Sequence, residues 1–466
     1  MPTLKVVSTS RRFQYMSKDM DVDAGEGVEG VDADYGLISP EERAASKGEA
    51  LFRLTLDTAS GKRTRGEEQG HSQLQIWRNW QGGGPHTKPS AAAAAARRGA
   101  GKPAPPPPTG LPLATAPAAP TDADAPVEFR GIPRAGGATS EQVALLLPTS
   151  LCSSEVSRTL VDELNESQGA SRGIRFVALP HTEGCGVSDV ETGADLLLGH
   201  LASPLVGWTV LLEHGCEKTH NDYFSGRMRS IGLDPSACGC ASLQADGGLG
   251  AVREKVAGWF AQRVPASPPP RVPADLMRLG LGILADGGDV PEALALCLAR
   301  IAVRFARDGL AVLPTRSALV SHPAFAEAAL AAPARSSLGY GAVPKAGGFH
   351  LMATPSRRWV EMLSGLGGSG VHFILAWKPR GAAGAVGHPM VPVLTLALET
   401  DTVQVEGCSA AAADLLLPPS PSGGSAEWGE IILRKLAQLA SGEYAALAQR
   451  QMNTDFQIGR GDACSL

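Results

Sequence analysis

Three short apolar runs, each opening into a polar loop, set the fold class. Residues 143–147 (VALLL), 174–179 (IRFVAL) and 208–213 (WTVLLE) have the length of strands and almost no polar alternation. Runs of this kind belong to parallel strands covered on both faces. Helical patterns separate them. One runs to Leu164, with Ser153 or Ser154 as its cap. Others cover 192–201 and 249–262, and 242–244 reads as a short strand. Parallel neighbours need crossover connections, and helices supply them. A proline-rich stretch follows at 264–274 (VPASPPPRVPA), expected as a semi-rigid connection. Beyond it 275–284 and 291–308 read as helices, and 371–377 (VHFILAW) and 391–397 (VPVLTLA) as strands. The expectation is an α/β chain, mostly parallel sheets with covering helices, in two subdomains at 127–263 and 275–466.

The part before residue 127 has a different character. Of the 46 residues at 81–126, 31 are Pro, Gly or Ala. Such a segment buries too little apolar surface to offset its ordering entropy, so a disordered spacer is expected. Residues 1–80 carry a partial repeat of the C-terminal end. The run 48–61 (GEALFRLTLDTASG) matches 429–442 (GEIILRKLAQLASG), and strand-like runs at 2–7 (PTLKVV) and 392–397 (PVLTLA) precede them. Both longer runs read as helices closed by glycine.

Composition narrows the function classes. Charged residues make up 19% of the 466, and the net charge of −5 argues against a nucleic-acid binder. No apolar run reaches the roughly 20 residues a membrane helix needs, and the first residues lack an apolar signal core. Eight cysteines in so long a chain suggest neither a disulfide scaffold nor, without paired C-x-x-C spacing, a structural zinc site. A cytoplasmic, reducing setting is the expectation, with thiols available for chemistry.

In open parallel sheets, ligands bind outside the carboxyl ends of the strands. The first apolar run leads to Cys152, the second to His181, Glu183 and Cys185, and the third to His214, Cys216, Glu217, Lys218 and His220. A single cysteine after a strand is ordinarily a small buried residue, and a single histidine a satisfied loop or core group. Three such loops at one rim argue for a site. Thiolate, imidazole and carboxylate together suit Fe(II) or Zn(II). Cys238 and Cys240 form a weaker pair, Cys297 reads as core, and Cys408 and Cys464 fit no pattern. Lys378 and Arg380, after the strand ending at Trp377, suit a carboxylate or are a solvated basic pair. The glycine-rich turn 384–389, with His388, is a weak anion-loop candidate.

Several of these runs carry a family resemblance. Residues 128–164, HTEGCGVS at 181–188, LLEHGCEKTHNDY at 211–223 and GFHLMATP at 348–355 resemble the altronate dehydratase/galactarate dehydratase family. So do DMDVDAG at 19–25 and EQGHSQLQIW at 68–77, which resemble that family's closing segment. The resemblance implies a metal-dependent hydro-lyase that converts an aldonate or aldarate to a 2-keto-3-deoxy acid. The implied metal is Fe(II), with Mn(II) or Zn(II) as alternatives. Its implied ligands are Cys152, His181, Cys185, Cys216 and Glu217. His214, Lys218 or His220 would act as acid or base, and Lys378, Arg380 and His388 would bind substrate. The implied partner is a small sugar acid, with no nucleic acid or membrane and with a homo-oligomer allowed. Residues 135–140 (AGGATS) depart from the family's Asp-Gly-Arg continuation, which leaves a catalytically degenerate binding or regulatory protein as the alternative.

Overall fold

The computed structural model describes residues 125–134, 136–184, 190–268, 270–286, 290–330, 337–378, 386–399, 413–419 and 425–459. It also describes four short strands nearer the N-terminus. The chain divides into two units, Met1–Thr109 and Gly110–Leu466. In the first, β1 (Thr3–Val6) pairs antiparallel with β2 (Lys18–Asp21), and β3 (Asp34–Gly36) with β4 (Arg53–Thr55). Strand β4 lies inside the 48–61 run expected as a helix. Its Arg-Leu-Thr alternation also fits the two-residue period of a strand. The rest of that run and residues 81–124 lie outside the described residues.

The second unit is α/β, as expected. Strands β7 (Val143–Pro148), β8 (Arg175–Ala178), β9 (Val206–Glu213) and β10 (Gly239–Ser242) form a four-stranded parallel sheet in the order β10-β9-β7-β8. A second parallel sheet has seven strands, with β12 (Gly280–Ala285), β13 (Leu310–Pro314) and β16 (Phe373–Trp377) at its centre. Strands β15 (Gly348–Met352) and β17 (Val393–Leu398) flank these. The edges are β14 (Ser337–Leu338) and β18 (Leu415–Leu417).

Side-chain alternation along β7 shows the layering. Val143, Leu145 and Leu147 point to one face, toward helices α2 (Val190–Leu201) and α3 (Asn221–Ser230). Ala144 and Leu146 point to the other, toward α1 (Leu151–Leu164) and α4 (Leu249–Arg263). The first of these cores also takes in Val312, Ile374 and Val393 of the larger sheet and Leu363 and Leu366 of α6 (Trp359–Gly368). Helices α2 and α6 therefore form a layer shared by both sheets. The far face of the larger sheet packs on α5 (Glu292–Asp308) and α7 (Ser425–Ala440). Each fully buried Leu or Phe contributes roughly 1.5–3 kcal/mol of transfer free energy.

Three local expectations are corrected. Residues 275–284 are not a helix. A 3-10 turn at Leu276–Arg278 leads into β12, all six of whose residues are buried. A strand covered on both faces is apolar throughout, so its periodicity cannot be told from that of a buried helix. Helix α1 starts at Leu151 with Ser150 as its cap, in extended backbone, and Ser153 Oγ accepts from the Ser150 N–H at 3.3 Å. The proline-rich connection is partly regular. Val272–Asp275 forms β11 at the edge of a small antiparallel sheet, beside β5 (Glu128–Arg134) and β6 (Gly137–Thr139). An edge position tolerates Pro273. The expected closure of α7 is present. Gly442 is left-handed (φ 73°), Glu443 N–H bonds the Gln438 carbonyl and Gly442 N–H that of Leu439, a Schellman cap. Among the described residues no helix is long and apolar enough to cross a membrane.

Candidate metal centre

Strands β7 and β9 are neighbours, yet the chain leaves β7 for β8 on one side and passes from β9 to β10 on the other. The crevice beyond their carboxyl ends is the sheet's switch point, where open α/β sheets bind ligands. Their register pairs Pro148 with Leu212. Cys152 and Cys216 each lie four residues beyond that pair, so parallel pairing delivers both to one rim. Among the described residues, Cys152, His214 and Cys216 form a cluster whose ligand atoms all lie within 4.8 Å of one another. Both cysteines are exposed, and His214 Nδ1 is 3.2 Å from Cys216 Sγ.

Glu217 holds this loop in place. Its Oε1 accepts from Thr149 Oγ1 (2.7 Å), Ser150 Oγ (2.9 Å) and the His214 N–H (2.9 Å), and its Oε2 from the Gly215 N–H (2.7 Å). Burial by itself would raise this carboxyl. The donors from Thr149 and from the His214, Glu217 and Gly215 N–H groups outweigh it and bring the pKa down to about 2. Gly215 makes the turn with φ 111°, and a Cβ there would fall 2.9 Å from Gln244 Oε1. Thr219 Oγ1 adds a hydrogen bond to the Thr149 carbonyl (2.9 Å). Both loops are thus pinned to the strand ends that carry them. Sequence reasoning passed over Thr149, Ser150 and Gly215; a hydroxyl pair and a glycine beside the same two strand ends were the available signal.

The remaining candidates fall in different places. His181 is buried with both ring nitrogens engaged. Nδ1 accepts from the Glu183 N–H (3.2 Å), which puts the ring hydrogen on Nε2, 3.1 Å from the Pro148 carbonyl. It sits beneath the rim and is not in the ligand cluster. Glu217 is likewise an anchor in this arrangement. Cys185 and Arg380 lie outside the described residues. Lys218 is exposed and borders a small cleft with Thr149, His181, Thr219 and Phe224. His220 caps α3, its Nδ1 accepting from the Tyr223 N–H at 3.4 Å. On the larger sheet, Lys378 Nζ rests 5.2 Å from the centre of the Trp359 ring.

His388 is not at a rim at all. It is fully buried, and its Nδ1 accepts from the Met390 and Val391 N–H groups. Its Nε2 lies 3.1 Å from Nε2 of His200, whose Nδ1 reaches the Leu196 carbonyl at 2.8 Å. The weak glycine-turn signal therefore marked a core histidine pair, which sequence reasoning missed because its members are 188 residues apart.

Residues 135–261 match the family described as D-galactarate dehydratase/altronate hydrolase, second domain. Residues 1–82 match D-galactarate/altronate dehydratase, C-terminal. The two matched stretches, 209 of the 466 residues together, are those of the galactarate/altronate dehydratase family. These family domains indicate sugar-acid dehydratase or hydrolase function, and hence a lyase or hydrolase. The whole Cys152–His214–Cys216 cluster lies inside the second-domain match. The match described as C-terminal precedes the second-domain match in this chain. No curated protein matches the chain.

Proposed function

We propose that this chain is a metal-dependent hydro-lyase that dehydrates a sugar acid, an aldonate or aldarate, to a 2-keto-3-deoxy acid. The carrying observation is the convergence of Cys152, His214 and Cys216 at the switch point of the matched domain. Two thiols and an imidazole are a donor set for Fe(II) or Zn(II), and a poor one for Mn(II), which prefers oxygen. Three protein ligands leave a position for substrate. A metal there would polarise the substrate carboxylate and stabilise the charge that develops when the α-proton is removed.

The chain's own groups supply the rest. Lys218 offers an ammonium beside the cleft for the substrate carboxylate. Glu217 stays ionised at neutral pH with its oxygens occupied, so it positions and does not transfer protons. His220 keeps Nδ1 in the helix cap, leaving Nε2 as the ring atom for proton transfer at the rim.

Metal analysis of the anaerobically purified full chain, beside the variant Cys152→Ala/Cys216→Ala, tests the reading. Near-stoichiometric iron or zinc that vanishes in the variant, with 2-keto product from galactarate or altronate, is the expected result. A chain that takes up no metal after anaerobic reconstitution with Fe(II) or Zn(II) would favour a binding or regulatory role on the same fold.

A further inference from the structure

We infer that Cys152 and Cys216 form a reversible disulfide that switches the site off. The sulfur atoms lie within 4.8 Å of each other, both residues are exposed, and each sits four residues past a paired position on adjacent parallel strands. The loops behind them are pinned by the Glu217 hydrogen bonds and by the Ser150 cap, so the pair is held together before any oxidant arrives. Rotation about the two side chains must bring the sulfurs to about 2.05 Å, the length of the bond.

The oxidant is a low-molecular-weight disulfide such as oxidised glutathione. Cys216 sulfur attacks one of its sulfurs, forming a mixed disulfide and releasing one glutathione thiol. Cys152 sulfur then attacks the mixed disulfide and releases the second. Two protein thiols are oxidised, one glutathione disulfide is reduced to two thiols, and the two cysteine protons end on those thiols. The new bond occupies two of the three clustered donor groups. The consequence for metal uptake rests on the function proposed above; the disulfide itself does not.

The full chain, with or without pre-loading by Zn(II), is incubated with oxidised glutathione and digested without reduction, and the peptides are weighed. The expected result is a 152–216 cross-link, lighter than the two thiol peptides by two hydrogens. It is abolished in either Cys152→Ser or Cys216→Ser, reversed by dithiothreitol and suppressed by Zn(II). A cross-link that forms regardless of Zn(II) supports the disulfide and counts against metal binding at these thiols. Glutathione adducts on the separate residues, or a cross-link of either one to another cysteine, would overturn the inference and leave the metal reading standing.

Discussion

Glu217 shows how much a single carboxylate can organise. Replacing it by Gln keeps the shape but removes the charge that four donors from two loops converge on. Breaking such a buried charged network costs about 3 kcal/mol. Glu217→Gln should therefore lower the denaturation midpoint and weaken the metal binding proposed for Cys152, His214 and Cys216, even though Glu217 is not in that cluster; chemical denaturation and metal titration of the same preparation read both effects. Site residues were legible to differing degrees. Cys152 and Cys216 could be read because each follows a strand at a fixed interval. The fate of His181 could not, because its partner carbonyl belongs to Pro148, 33 residues back on the neighbouring strand. Nothing in the local sequence around His388 announces His200.

At the scale of elements, helices α2 and α6 cross where neither has a side chain. A Cβ on Gly199 would lie 2.0 Å from the Gly341 carbonyl oxygen and 2.4 Å from that of Gly368. Both neighbours are backbone, one in the turn at Gly341 and one at the end of α6, so no side-chain rotation relieves the clash. Gly199→Ala should destabilise the second unit by about 1–3 kcal/mol, measurable as a fall in the urea midpoint with little change in slope. Most elements were legible because apolar runs of strand length alternate with 3.6-residue patterns. Strand β12 was not, since full burial on both faces erases the alternation that distinguishes a strand. The start of α1 was misplaced because Ser153 and Ser154 are the expected caps, whereas Ser150, which closes a capping box with Ser153 and also bonds Glu217, holds that position.

At the scale of the whole second unit, three buried histidines shape the response to acid. Burial lowers His200 to about 4 against the opposing Leu196 carbonyl, and burial with nearby Arg134 lowers His372 to about 3. Burial, then His200 and Arg175, bring His388 well below its ordinary value. Below about pH 6.5 the unfolded chain binds protons on these rings that the folded chain refuses. Stability should thus be level above neutrality and fall as the pH drops from about 6.5 toward 4. Each ring adds to the slope until the pH falls to its own value in the folded chain. Glu217 adds to the loss only below about 4.5, its stabilising effect fading toward pH 2. Urea midpoints between pH 8 and pH 4 check the course, and a flat profile would refute it. The glycine seam between α2 and α6 also bears on inheritance. Two sheets that share one layer of helices, in contact backbone to backbone, offer no clean place to cut. A recombination event that carried one sheet without the other would expose the apolar face that both sheets now cover.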